Sequence, residues 1–196
     1  MSIAELNSRA AVTAAPIIPA LAERWSPRAF DPSAVVPETA LTAALEAARW
    51  SPSASNTQPW RFVVARRGTT EFDTIAATLM GFNQAWAGSA SALIVAFAEV
   101  KDAEGNDRRW ATYDLGQAVA HLSVQAHHDG LHVHQMGGFD GEALRTAFGI
   151  EDRFVPTSVS AIGVLGDPDA LPDPLREREL APRTRAALDD IVVVNA

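Results

Sequence analysis

The sequence contains no cysteine. Disulfides, thiolate metal sites and a cysteine nucleophile are therefore excluded, and the absence fits a reducing compartment. There is no excess of positive charge either: 16 Lys and Arg stand against 24 Asp and Glu, for a formal net charge of −8. Nucleic acids and anionic membranes require a basic face, so neither is expected as a partner. The most apolar window, 90–98, is far too short to span a bilayer. Glu5 lies where a signal peptide would be basic and then apolar, so none is expected, and the reading is a soluble, cytoplasmic protein. The G-x-G-x-x-G fingerprint, the H-E-x-x-H motif and a nucleophile elbow are all missing. His127, His128, His132 and His134 cluster in the sequence without a third-ligand spacing, so no metal site is expected.

What is present suits one domain, 1–196, with a substantial core: 47% of the 196 residues are apolar and 20% charged. Alanine-rich residues 2–16 predict a helix, which Pro16 and Pro19 stop. Pro37 can open a second helix, because Leu41, Ala44, Leu45 and Ala48 fall on one stripe. Trp60, Phe62 and Val64 share a face of a predicted strand over 60–66. Phe72, Ile75, Ala76 and Leu79 mark a helix. The run 92–98 reads as a strand buried on both faces. A long helix over 109–129 ends at Gly130, a short strand follows over 131–135, and Asp140 and Gly149 bracket another helix. A strand is predicted over 159–165. Pro168, Pro172 and Pro174 make an extended connector, and the β-branched run 191–194 reads as a terminal strand. Residue patterns alone thus give strands separated by helix-bearing crossovers, with helices on the faces of a sheet. The terminal strand can complete its own sheet or that of a second chain, since an unpaired apolar strand invites aggregation.

Five segments carry chemistry. Arg24-Trp25-Ser26-Pro27-Arg28 places two guanidiniums and a hydroxyl within five residues, suited to phosphate or to a surface ion-pair cluster. Pro52, Ser53, Ala54, Asn56 and Gln58 belong to a small, polar stretch that ends in Pro59-Trp60. Its amides and hydroxyls serve a donor-rich ligand or local caps. Asn83 reads as a cap or a ligand contact. Met136-Gly137-Gly138 follows a strand and lets a backbone approach a ligand closely, or simply turns the chain. Arg183 and Arg185 form a second basic pair near the end of an acidic chain.

In this order, and most specifically in the first two segments, the sequence resembles the nitroreductase family from about Pro16 to its end. That family comprises flavoenzymes that hold FMN between two subunits. The resemblance implies an α+β fold: a three-layer α-β-α arrangement whose mixed, mainly antiparallel central sheet is completed by a C-terminal strand from the dimer partner. It implies FMN contacts from Arg24, Trp25, Ser26, Arg28, Asn83, Met136, Gly137, Gly138, Arg183 and Arg185. Pro52, Ser53, Ala54, Asn56 and Gln58 would come from the other subunit of a homodimer. Arg28 would lie near the flavin N1–O2 edge, and Arg183 and Arg185 would complete a phosphate clamp. The implied activity is ping-pong hydride transfer from NAD(P)H through flavin N5 to a nitroaromatic, quinone or similar flat acceptor, with no catalytic side chain required. Another FMN-dependent redox reaction and non-catalytic flavin binding are the alternatives. Three departures stand out. Trp86 replaces a frequent lysine and should add an aromatic wall; Ala54 replaces a frequent serine; and no proline follows Arg185 closely.

Overall fold

The computed structural model describes residues 9–195 of the chain. One sheet organises it. Strands β1 (Trp60–Arg66), β2 (Ala92–Glu99), β3 (His132–Met136) and β4 (Phe154–Gly163) lie in the order β1-β2-β4-β3, and each neighbouring pair is antiparallel. Both faces are covered, which is why β2 is apolar throughout: all eight of its residues are buried. Leu93, Val95 and Phe97 enter one core cluster with Phe72, Ile75 and Leu144. Ile94 and Ala96 enter the other with Leu41, Ala44, Leu115 and Leu122. The period-2 geometry of a strand thus splits one segment between two cores.

The first cluster is roofed by α3 (Thr70–Thr78) and α5 (Gly141–Phe148). The second is roofed by α2 (Glu38–Arg49) and α4 (Ala111–His128), whose stripes meet across many residues. A short α1 (Pro19–Glu23) precedes them, and α6 (Asp173–Leu180) and α7 (Leu188–Ile191) follow the sheet. Asp140 caps α5 by accepting the Ala143 amide at 3.0 Å, and Gly149 ends that helix in the left-handed region at φ 63°. Thr69 caps α3 through the Phe72 amide. No helix among the described residues is long and apolar enough to cross a membrane.

The sequence expectations hold for the α+β class and for most elements, with four differences. Residues 9–16 are not helical; 1–8 lie outside the described residues. The sheet is wholly antiparallel among the described residues, not mixed. The proline-spaced connector contains a helix, α6, because Pro172 and Pro174 occupy its N-cap and first turn, where no amide is needed. The run 191–194 forms no strand: Ile191 closes α7, and Val193 and Val194 stand 93% and 78% exposed. With no neighbouring strand edge, β-branched composition alone forms no ladder.

Candidate functional site

The basic segment leaves α1 with Arg24 extended and is then tied down from three directions. The C-terminal segment is the first. Arg183 donates to the carbonyls of Arg9, Ala22 and Arg24, the last two at 2.9 and 2.8 Å. Arg9 donates to the carbonyls of Glu179 and Ala181 and lies 4.3 Å above the Trp25 ring. The second is β3: His134 Nδ1 meets the Pro27 carbonyl at 2.8 Å. A carbonyl can only accept, so Nδ1 carries the hydrogen. The third is the chain after β4. Phe30 bridges Leu165, the Gly166 amide donates to the Ala29 carbonyl at 2.9 Å, and the Asp31 amide donates to Val164. A Cβ on Gly166 would fall 2.5 Å from the Phe30 carbonyl group and 2.7 Å from the Asp31 nitrogen, so that crossing requires glycine.

Positive charge accumulates around Arg24 and Arg183, while the buried acid nearby, Glu179, pairs with Arg28 instead. Burial, and then neighbouring Arg185, pull Arg24 below the ordinary arginine value. Burial, then Arg24, Arg185 and Arg9, do the same to Arg183. Ser26 Oγ lies 3.4 Å from Arg24 Nη2. Two rings pack edge-on beside this group, His127 and His132, with centroids 5.1 Å apart. Burial, then His127 and Arg24, lower His132 to about 4. Burial, partly offset by the Pro27 carbonyl, lowers His134 to about 4. Trp25 Nε1 and the Nδ1 atoms of His127 and His132 are buried without a partner. Crowded guanidiniums and the unmet Trp25 Nε1 donor are features suited to an anion.

The same β3 strand leads into the glycine pair. The Gly138 carbonyl accepts from the Met80 amide at 3.0 Å and from Asn83 Nδ2 at 3.2 Å. A Cβ on Gly138 would stand 3.2 Å from that amide nitrogen, so glycine lets Asn83 lie across the turn; at Gly137 a Cβ would meet nothing within 4 Å. The Met136 side chain is in the core, which leaves only its backbone for a ligand. Trp86 is 3% exposed and stacks between His134, at 4.5 Å, and Phe30, at 6.1 Å. The expected aromatic wall is thus a core packing element that carries no charge. Arg185 is exposed and, among the described residues, bonds the adjacent Thr184 carbonyl.

One predicted segment stays apart. The loop from Ser51 to Trp60 precedes β1, at the opposite edge of the sheet from β3. Three inter-strand spacings separate those edges by roughly 14 Å. Helix α4 and the segment before it pin the loop: Ser51 Oγ to His121 Nδ1 at 2.7 Å, the Ala54 amide to Asp114 at 3.0 Å, and Arg108 to the Thr57 carbonyl at 3.1 Å. Ser53 Oγ accepts the Gln58 amide. Ser55, Asn56 and Gln58 all adopt positive φ, at 51°, 55° and 47°. Left-handed non-glycine residues gathered at one place store strain, as functional loops do. Pro52, Asn56 and Gln58 are exposed.

Among the described residues no group of three or more His, Asp or Glu side chains could hold a metal. A shallow, mainly apolar cavity of about 850 Å³ opens beside Met80 and Phe139; the charged cluster does not line it. Sequence reading missed Asp114, Arg9 and Glu179, and noticed His134 only in the histidine cluster, not as the residue that holds the Pro27 carbonyl. That role was signalled only by the residue's place on the strand before the glycines. Glu179 hides in the charged run Arg176-Glu177-Arg178-Glu179, which looks solvated.

The chain is similar in sequence and fold to known proteins. The family model described as the Nitroreductase family matches residues 21–164. An uncharacterized 15.4 kDa protein of Mycolicibacterium smegmatis is 39% identical over 141 residues, 67% of this chain and 92% of that protein. A Bacillus subtilis (strain 168) protein with the provisional name NAD(P)H nitroreductase YdgI is 28% identical over 181 residues, 74% of this chain and 86% of that protein. The crystal structure of an oxidoreductase containing FMN superposes with a TM-score of 0.88 at 39% identity, over 94% of both chains. A nitroreductase family protein from Streptococcus pneumoniae TIGR4 shares the fold, with a TM-score of 0.69 at 20% identity, over 97% of this chain and 98% of that one.

Proposed function

This chain belongs to the nitroreductase family, and on that premise we propose that it is an FMN-dependent oxidoreductase that takes electrons from NAD(P)H and passes them to a nitroaromatic, quinone or similar flat acceptor. The observation that carries the reading is the crowded basic group of Arg24, Arg183 and Arg185 at the His132 end of β3, the strand whose other end leads into the Asn83–Gly138 turn. FMN fits it. A phosphate supplies the counter-charge that these guanidiniums lack, and unpartnered buried nitrogens of Trp25, His127 and His132 lie nearby. The FMN-containing oxidoreductase of similar structure supports the choice of cofactor, and the name of the Bacillus relative supports the electron donor.

Each residue then has a physical task. Arg24 and Ser26 hold the phosphate end, and Arg183, engaged with three carbonyls, contributes charge and shape rather than a free fork. Arg185 is exposed and able to turn inward. Arg28, with 25% of its side chain exposed, points its charge at the pyrimidine edge. Asn83 and the backbone of Met136, Gly137 and Gly138 meet the polar edge of the ring. FMN held by these residues would supply the redox chemistry, a two-electron transfer from NAD(P)H to the acceptor. The protein orients the ring, excludes water from one face and places cationic charge nearby. No side chain acts as acid or base in this reading.

The loop from Pro52 to Gln58 serves a second copy of the chain. It stands too far from β3 to complete its own site, and its strained backbone is held outward. The exposed Val193 and Val194 and the 76% exposed Trp50 supply apolar surface for a homodimer. We read the chain, 1–196, as one domain, because its ends interlock through Arg9, Glu179 and Arg183.

The test is the visible absorbance of the purified protein, followed by denaturation and identification of what is released. Flavin bands with about one FMN per chain are expected, and NAD(P)H oxidation should accelerate with a nitroaromatic or quinone. A colourless protein whose melting temperature does not move with added FMN would overturn the proposal, since a ligand specific for the native state must stabilise it.

A further inference from the structure

Glu179 is fully buried, whereas Glu177 and Arg178 beside it on α6 are exposed. Its carboxylate does not face a lone cation in a tight pair. Its oxygens accept the backbone amide of Arg28 at 3.0 and 2.9 Å and that of Ala29 at 3.1 Å. Two successive amides converging on one anion form a backbone nest, which ordinarily takes a ligand's negative group. Here the chain supplies the anion from 151 residues away. The same carboxylate lies 3.7 Å from Arg28 Nη1. Arg28 is therefore gripped twice by one residue, at its backbone and at its guanidinium. Arg9, the other cation near α6, donates to the Glu179 carbonyl oxygen.

A grip of this kind has two consequences for the side chain it holds. The amide bonds fix where the Arg28 side chain departs from the main chain. The carboxylate beside Nη1 occupies one side of the guanidinium and leaves the rest of the five-donor fork for a ligand. It also subtracts from the positive potential that Arg28 projects. A charge at that distance inside the protein is felt far more strongly than one at the surface.

We propose that Glu179 is a positioning residue that sets both the direction and the effective charge of Arg28, and thereby the redox poise of the flavin held there. The inference rests on the FMN reading given above. It assigns Glu179 no contact with the cofactor; Glu179 acts through Arg28.

The experiment compares how tightly wild-type protein and Glu179→Gln hold oxidised and reduced FMN, by dye-coupled redox titration at saturating FMN. Glutamine keeps the shape and an acceptor but removes the negative charge. Reduced FMN, the more negative form, is expected to gain on the oxidised form by roughly threefold or more, the effect of one unit charge several ångströms away in a screened site. In an Arg28→Ala background the same substitution should shift the ratio clearly less, because only the direct field of the lost charge, and not the released guanidinium, then acts. An unchanged ratio in Glu179→Gln overturns the proposal while leaving FMN binding intact. A shift of equal size without Arg28 also overturns it, because Glu179 would then act as a general charge. Wild-type protein that takes up no FMN overturns this inference together with the functional reading. Should Glu179→Gln not fold, Glu179→Asp retains the charge and withdraws it by one methylene. Weaker FMN retention is then expected, and retention equal to wild type would sink the positioning role.

Discussion

The basic segment and the loop before β1 are both polar turns between regular elements, yet they are built in opposite ways. The Arg24–Phe30 segment is fixed by partners distant in sequence: Glu179, Arg183, His134 and Gly166 all reach it. Its polar backbone is satisfied inside the protein, and its charge is left over. The Pro52–Gln58 loop is fixed mainly by a single helix, itself 60–70 residues away in sequence, and what it retains is strain, in three left-handed residues. The first is a receptacle completed within the chain. The second is a projection that gains its purpose outside it. A site shared between two copies needs both kinds, one to receive a ligand and one to be delivered to it.

Acid separates the two regions most. His132 and His134 both lie beside the basic segment, and burial lowers each from 6.5 to about 4. The unfolded chain therefore takes up protons first as the pH falls. Stability is intact above about 6.5, declines through the window down to about 4, and stops responding to these rings below it. Each ring accounts for at most roughly 3 kcal/mol across that window. Denaturant melts at pH 7, 5.5 and 4 should show the decline, and His132→Phe should flatten it. Equal slopes in the two chains would remove this ring from the explanation.

Gly166→Ala comes next, because its new methyl meets backbone that cannot move aside. A loss of about 3 kcal/mol is expected from overpacking, together with weaker FMN uptake, both measured on the same preparation. In the loop, Asp114→Ala removes the buried acceptor of the Ala54 amide. It should cost about 2 kcal/mol, as expected for a hydrogen bond to a charged group. It should leave FMN content nearly unchanged while slowing turnover; a loss of FMN as large as that of Gly166→Ala would erase the distinction drawn here. The smallest effect is expected at Ser55, whose φ of 51° suits glycine better. Ser55→Gly should raise the melting free energy by about 0.5 kcal/mol, relief of backbone strain less the added chain entropy. A drop instead would mean that the serine makes contacts that outweigh the strain.

These contrasts also explain what could be read in advance. Periodicity revealed β1 correctly, with Trp60, Phe62 and Val64 on one core face, and it revealed the α2 stripe of Leu41, Ala44 and Ala48. Caps revealed α5, because Asp140 and Gly149 act locally. The basic segment and the loop were visible because together, and in order, they resemble the N-terminal motifs of the nitroreductase family. Glu179 and Asp114 were not, and the reason is physical. Their partners are backbone amides, which every residue but proline carries, so nothing in the partner's identity betrays the contact. The terminal valines form no strand within this chain for a related reason: a strand needs an edge to pair with, and the sequence of one chain does not say where that edge lies. Trp86 misled because its neighbours in space, Phe30 and His134, come from two other elements.

The grip of Glu179 on Arg28 also has a consequence in time. The ribosome releases Arg28 early and Glu179 151 residues later. At ordinary rates of synthesis that interval is roughly 8–30 s. Throughout it the nest amides have no internal anion, and the arginines that await phosphate are held by nothing downstream. The first ligand-binding segment to be made is thus among the last to be finished, and the end of the message governs when the beginning can be used.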